Sequence, residues 1–312
     1  MIRLQFNLQP VGRGHHRSGW PYAWHALHML HDYGGVLFED FVERSFTYSR
    51  MSRPYARPWV AVFHNPPNMP MWFDANQDPR AVFSSALWQR SVPHLKVAFS
   101  LSEYLAAWLR TKLDVPVHSV IHPTEIPKQG WDLNAFLENR DRQIIQVGWW
   151  LRNTSAIYQL PKLPGWQKVA LKLDQQWVQM AEQRVWDFWR QMGTRKHQGG
   201  VVELPRVDNA LYDDMLSKNV VFLELFDTSA NNAIVECLAR DCPVIVNRHP
   251  AVEEYLGKDY PGLYDIFEEA PALFDEENII ACHEHIAGLD KTRLSGATFR
   301  EGIRRGVGEA LR

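Results

Sequence analysis

The residues from Val220 to Val246 limit what this chain can fold into more than any other stretch. They read V-V-F-L-E-L-F, D-T-S-A-N-N, A-I-V-E-C-L-A-R-D and C-P-V-I-V-N, in the order strand, polar turn, short helix, second strand. An apolar β-rich run, a Ser/Asn cluster able to cap a helix and a second apolar run are the sequence form of a βαβ unit in a buried parallel sheet. Such a unit sets its turn at the carboxyl end of the first strand, where open α/β sheets hold ligands. Thr228, Ser229, Ala230, Asn231 and Asn232 would aim free backbone N–H groups and the positive end of a helix at a guest, and phosphate oxygens suit both. Glu236 follows about one turn into the helix. A carboxylate repels phosphate but accepts hydrogen bonds from ribose hydroxyls, so the pair of features points to a nucleotide diphosphate. The plainer alternative is that the asparagines only cap and Glu236 is a solvated helix residue.

The segments before this unit alternate strand and helix. Ile2 to Gln9 reads as a strand, then a loop rich in Gly, His and Arg leads to helical spacing from Tyr22 to Tyr33. Ser18 and Gly19 stand at that helix's start, where glycine permits close backbone approach to a ligand. The loop lacks G-x-G-x-x-G, which argues against a nicotinamide cofactor. Pro58–Phe63, Lys96–Ser100 and Val117–Ile121 read as further strands, with helices over Arg80–Arg90 and, N-capped, Ser102–Leu113. His64 falls at the carboxyl end of one strand, followed by N-P-P. A histidine there could donate to a sugar hydroxyl or stabilise charge; the alternative is a structural ring.

Between Pro123 and Arg142 the periodicity lapses into prolines and charges, as in an interdomain linker. The expected division is therefore 1–125, a linker at 126–142, and a second α/β half from 143 to 312, whose last helix is free to pack back on the first half. In the second half Gly148 and Arg152 follow a strand at Gln143–Val147, and Lys172 ends another. A planar guanidinium matches pyrophosphate and Lys172 could add a second positive charge, with surface ion pairs as the alternative for each.

Composition closes off other classes. The net charge of −2, with no Lys/Arg block, excludes nucleic acid as a partner. Cys237, Cys242 and Cys282 have no metal-ligand spacing and read as buried free thiols of a reducing compartment. No apolar run approaches the roughly 18 residues of a membrane span, so the expectation is a cytoplasmic protein, with peripheral membrane contact left open.

The segment V-V-E-L-P-R-V-D-N-A-L-Y-D-D-M-L-S-K-N-V-V-F-L-E-L-F-D-T-S-A-N-N-A-I-V-E-C-L-A-R-D-C-P-V-I-V-N, set in the second of two Rossmann-like halves, resembles the GT-B glycosyltransferases, and among them the large retaining group that uses nucleotide sugars. The motif match covers Val201 to Glu254. The resemblance implies an α/β GT-B fold, two Rossmann-like domains facing each other across a cleft. It implies an enzyme that moves a sugar from a nucleotide-diphosphate donor, UDP- or GDP-linked, to a glycan, lipid or other acceptor, as in polysaccharide biosynthesis, with no metal or other cofactor required. By the same likeness Leu204 to Val207 lie along the nucleobase, Thr228 to Asn232 along the diphosphate and Glu236 on the ribose. Arg152 falls at the diphosphate arginine and His64 near the transferred sugar. The chain departs from the pattern in two places. The family's first glutamate would stand eight positions before Glu236, where this chain has Thr228, leaving Asp227 or Glu224 as substitutes; and no lysine follows Arg152 until Lys162. A non-catalytic nucleotide-sugar or glycan-binding module and a sugar-nucleotide epimerase remain alternatives on the same fold.

Overall fold

The computed structural model describes residues 2–6, 19–47, 53–193 and 195–312. They divide into two units, one of residues 1–125, 227–232 and 291–312, the other of residues 126–226 and 233–290.

In the first unit the described residues form a parallel sheet in chain order: β1 (Leu4–Phe6), β2 (Val36–Glu39), β3 (Trp59–Phe63), β4 (Leu95–Ser100) and β5 (Val117–Ser119). The period of two sends alternate residues of β3 to opposite faces. Trp59, Ala61 and Phe63 join one core with Val42, Phe46 and Trp88, while Val60 and Val62 join another with Leu27, Phe299 and Ile303. All five residues of β3 are buried, the mark of a strand covered on both faces. Ser102 caps its helix as expected, accepting from the Leu105 N–H at 3.3 Å. The single helix expected over Arg80–Arg90 is two, Pro79–Ser84 and Ala86–Ser91, because Ser85 turns extended and caps the second through Trp88 N–H.

The C-terminal helix Gly296–Ala310 belongs to this unit and packs on β4 and on the Trp20–Leu27 helix. At Gly306 a Cβ would lie 2.8 Å from the Phe99 ring and 2.9 Å from His118. Alanine would gain about 1 kcal/mol of helix propensity. Forcing a methyl against a fully buried ring costs about 1–3 kcal/mol, so the clash wins. Gly306→Ala is therefore expected to lower the urea midpoint, and a raised midpoint would show that the helix can shift at no cost.

The second unit's sheet has the order β11 (Leu263–Tyr264), β10 (Val244–Asn247), β9 (Val220–Leu223), β6 (Arg142–Gln146), β7 (Trp166–Leu171), β8 (Val201–Leu204), all parallel. This is the doubly wound Rossmann order, and its reversal falls between β6 and β9. The expected linker is folded into this unit. It carries the Leu133–Glu138 helix, capped by Asp132, and Trp131 is buried with its indole N–H donated to the Asn219 carbonyl at 2.9 Å. The three cysteines are buried and unbridged.

Candidate functional site

Where strand order reverses, the loops leaving neighbouring strands diverge and open a crevice at their carboxyl ends. In the second unit those are the loops after β6 and β9, and backbone contacts stitch them together. Phe226 N–H donates to the Leu151 carbonyl at 2.9 Å, Asn153 N–H to the Glu224 carbonyl at 2.7 Å, and Arg152 bridges Leu225. Leu151 is held at a φ of 54°, a left-handed conformation that a branched residue keeps only when its surroundings enforce it.

Gly148 has a φ of +76°, and the buried Arg152 side chain folds over it, Nη1 donating to the Val147 carbonyl at 2.8 Å. A Cβ at position 148 would stand 1.2 Å from Nη1, so this guanidinium position exists only beside glycine. Burial pulls the Arg152 guanidinium down to about 10, while the Tyr212 phenol and the Glu236 carboxylate favour its charge; it is a cation at neutral pH. Glu236 is buried rather than solvated and accepts the Tyr212 hydroxyl at 2.5 Å. Burial, then the carboxylate beside it, push that phenol far above its ordinary range, so it remains a donor. Gly148, Arg152 and Glu236 thus come together, with Tyr212 as a member that sequence reasoning missed. Its signal was present as the tyrosine of N-A-L-Y in the matching segment.

The two carboxylates offered for the missing glutamate are both engaged by protein. Glu224 accepts from Arg195 Nη1 at 2.8 and 2.7 Å and from Asn153 Nδ2 at 2.7 Å. Arg195 is itself held 4.0 Å from the Phe267 ring and 4.5 Å from Trp189. Asp227 accepts the Asn68 N–H at 2.7 Å and the Thr228 N–H at 2.8 Å. Residues 227–232 belong to the first unit. Ser229 Oγ lies 2.9 Å from Ser102 Oγ, and Ala230 packs on the first unit's core. Thr228, Ser229 and Asn231 are buried and Asn232 is exposed. The Thr228 N–H and the Ser229 hydroxyl therefore already have protein partners.

Lys172 pairs with Glu182 at 2.6 Å and lies 5.9 Å over the Tyr158 ring, the ion-pair alternative raised for it above. Leu204 and Val207 are half-buried where β8 ends, Leu204 accepting the Lys172 N–H at 2.8 Å. Gly19 is extended and precedes the Trp20–Leu27 helix; Ser18 lies outside the described residues.

His64, in the first unit, follows β3. Its ring stacks on Phe41 at 4.0 Å and meets the Trp20 ring edge at 4.3 Å, and Nε2 is 2.8 Å from the Asp40 carbonyl. Burial lowers it to about 3, so the ring is neutral and carries no charge of its own. His122, 6.0 Å from Trp20, is likewise buried and lowered to about 4. Among the described residues no group of three or more His, Cys, Asp or Glu side chains is arranged to hold a metal, and no helix is long and apolar enough to cross a membrane.

Two parallel α/β sheets with interleaved helices, the second in Rossmann order with a basic and an acidic side chain at its reversal, give this chain the GT-B fold of glycosyltransferases. The chain is similar to HepE of Anabaena in complex with UDP-glucose, at 15% identity and a TM-score of 0.55 over 81% of this chain and 72% of that one. It is similar to sucrose-phosphate synthase of Thermosynechococcus elongatus (13%, TM-score 0.56, 93% and 73%) and to a UDP-forming trehalose-phosphate synthase of Burkholderia xenovorans (11%, TM-score 0.54, 95% and 79%). No family model matches the chain, and no curated protein matches it in sequence.

Proposed function

We propose that the chain is a glycosyltransferase that takes a sugar from a nucleotide-diphosphate donor and transfers it to a glycan, lipid-linked or other acceptor in the cytoplasm, with retention and without a metal. The observation that carries this reading is the buried Arg152 cation seated on Gly148 beside Glu236, at the reversal of the second sheet. Breaking a sugar–phosphate bond leaves negative charge growing on the diphosphate. A fixed guanidinium, together with the N–H groups opening the Asn232–Arg240 helix, stabilises that charge more in the transition state than before it. These groups take the part that a divalent cation plays elsewhere. Glu236 accepts the ribose hydroxyls, and Leu204 to Val207 border the base. Solved structures of similar fold that hold UDP-glucose or form UDP favour a UDP donor over GDP.

Glu224 and Asp227 are both engaged by protein groups, which favours a second reading in which the chain binds the nucleotide sugar without turning it over. Donor hydrolysis in the absence of acceptor separates the two, since only a transferase releases UDP or GDP.

Removing Glu236 outright would take away an acceptor of the buried Tyr212 hydroxyl, so the cleaner test is Glu236→Gln, which keeps an acceptor and deletes the charge. Calorimetric titration with UDP is expected to show about tenfold weaker binding, equivalent to about 1.4 kcal/mol. Unchanged affinity would remove Glu236 from the ribose.

A further inference from the structure

The strand β3 ends at Phe63, and the next two amides have no sheet partner in front of them. Both are taken by one side chain. Glu43 Oε1 accepts the His64 N–H at 2.9 Å and the Asn65 N–H at 2.7 Å. Glu43 is fully buried, and its Oε2 has no hydrogen-bond partner among the described residues. Burial, opposed by those amides, raises the carboxyl to about 8, so it is largely protonated at neutral pH. The same short segment grips the histidine ring. A carbonyl oxygen only accepts, so the 2.8 Å contact to Asp40 places the ring proton on Nε2 and leaves the lone pair on Nδ1. Phe41 stacks on the ring, and Trp20 Nε1–H fixes the Asp40 carboxylate at 2.9 Å. Asn65 is tied onward to the Gln77 carbonyl at 2.9 Å.

We propose that Glu43 is a positioning residue that, with the Asp40 carbonyl, sets His64 as a neutral hydrogen-bond acceptor, offering Nδ1 to a hydroxyl of the bound sugar. This reverses the donor role expected from sequence. It rests on the proposed transferase reading for its ligand, but not for the state of the ring. An apolar residue at 43 would take the shared acceptor from the His64 and Asn65 amides, the second of them buried; glutamine would satisfy both and also matches the protonated carboxyl in shape.

Nitrogen-15 NMR of the imidazole in the full chain without ligand, with the His64 signal identified by its loss in His64→Gln, reads the tautomer directly. The expected result is the Nε2–H form in the wild type and in Glu43→Gln, and tautomer exchange in Glu43→Leu. With UDP-sugars, Glu43→Gln is expected to keep kcat within about threefold, while Glu43→Leu loses about 10- to 100-fold in kcat at unchanged UDP affinity. An Nδ1–H ring in the wild type overturns the proposal whether or not the leucine variant folds, as does an unaltered tautomer and kcat in a folded Glu43→Leu. Absence of any turnover by the wild type would count against the transferase reading, with the tautomer still judged on its own.

Discussion

Gly148→Ala is expected to cost donor turnover as heavily as removing the arginine itself, at least about 100-fold in kcat/KM. Two effects combine at this position. The φ of +76° strains any residue with a Cβ by about 1–2 kcal/mol. The larger effect is steric, because the new methyl would occupy the space 1.2 Å from Arg152 Nη1 and drive the guanidinium off the Val147 carbonyl. Gly165 supplies the control. Its φ is +79° but nothing lies within 4 Å of a Cβ there, so Gly165→Ala carries the backbone strain alone and should leave turnover unchanged. Equal activity in the two alanine variants would mean that the position of Arg152 does not matter to the reaction.

Arg152→Ala is the second large effect. Deleting a preorganised charge that acts on the leaving diphosphate lowers kcat by about 10²–10³-fold, with kcat/KM falling in parallel. Arg152→Lys should recover little of this, since an ammonium on a flexible stem cannot reproduce a planar fork already oriented by the Val147 carbonyl. A rise in KM with kcat intact would instead assign Arg152 to ground-state binding.

What the residues revealed in advance follows from how local each signal is. The strands β3 and β9 are runs rich in β-branched and aromatic residues and are legible as such, as is the placement of Gly148 and Arg152 after β6. The linker reading of residues 126–142 differs from the structure because prolines and charges mask one buried indole. Trp131 reaches Asn219, 88 residues away, a contact that no local pattern encodes. The partners of the site were hidden for the same reason: Tyr212 meets Glu236 across 24 positions, Arg195 meets Glu224 across 29, and Glu43 meets His64 across 21. Glu39 and Glu43 stand four apart in V-L-F-E-D-F-V-E-R-S-F, and each looks like an ordinary helix-start acid until burial is known. The Rossmann order of the second sheet is likewise a property of pairing, which a list of strands does not contain.

A crystal structure of the chain grown with UDP tests the central claim most directly. The diphosphate is predicted within hydrogen-bond reach of Arg152 and of the N–H groups opening the Asn232–Arg240 helix, with the ribose hydroxyls on the Glu236 carboxylate. Electron density for UDP away from Arg152 and Glu236, or none at a concentration that saturates binding in solution, would contradict it.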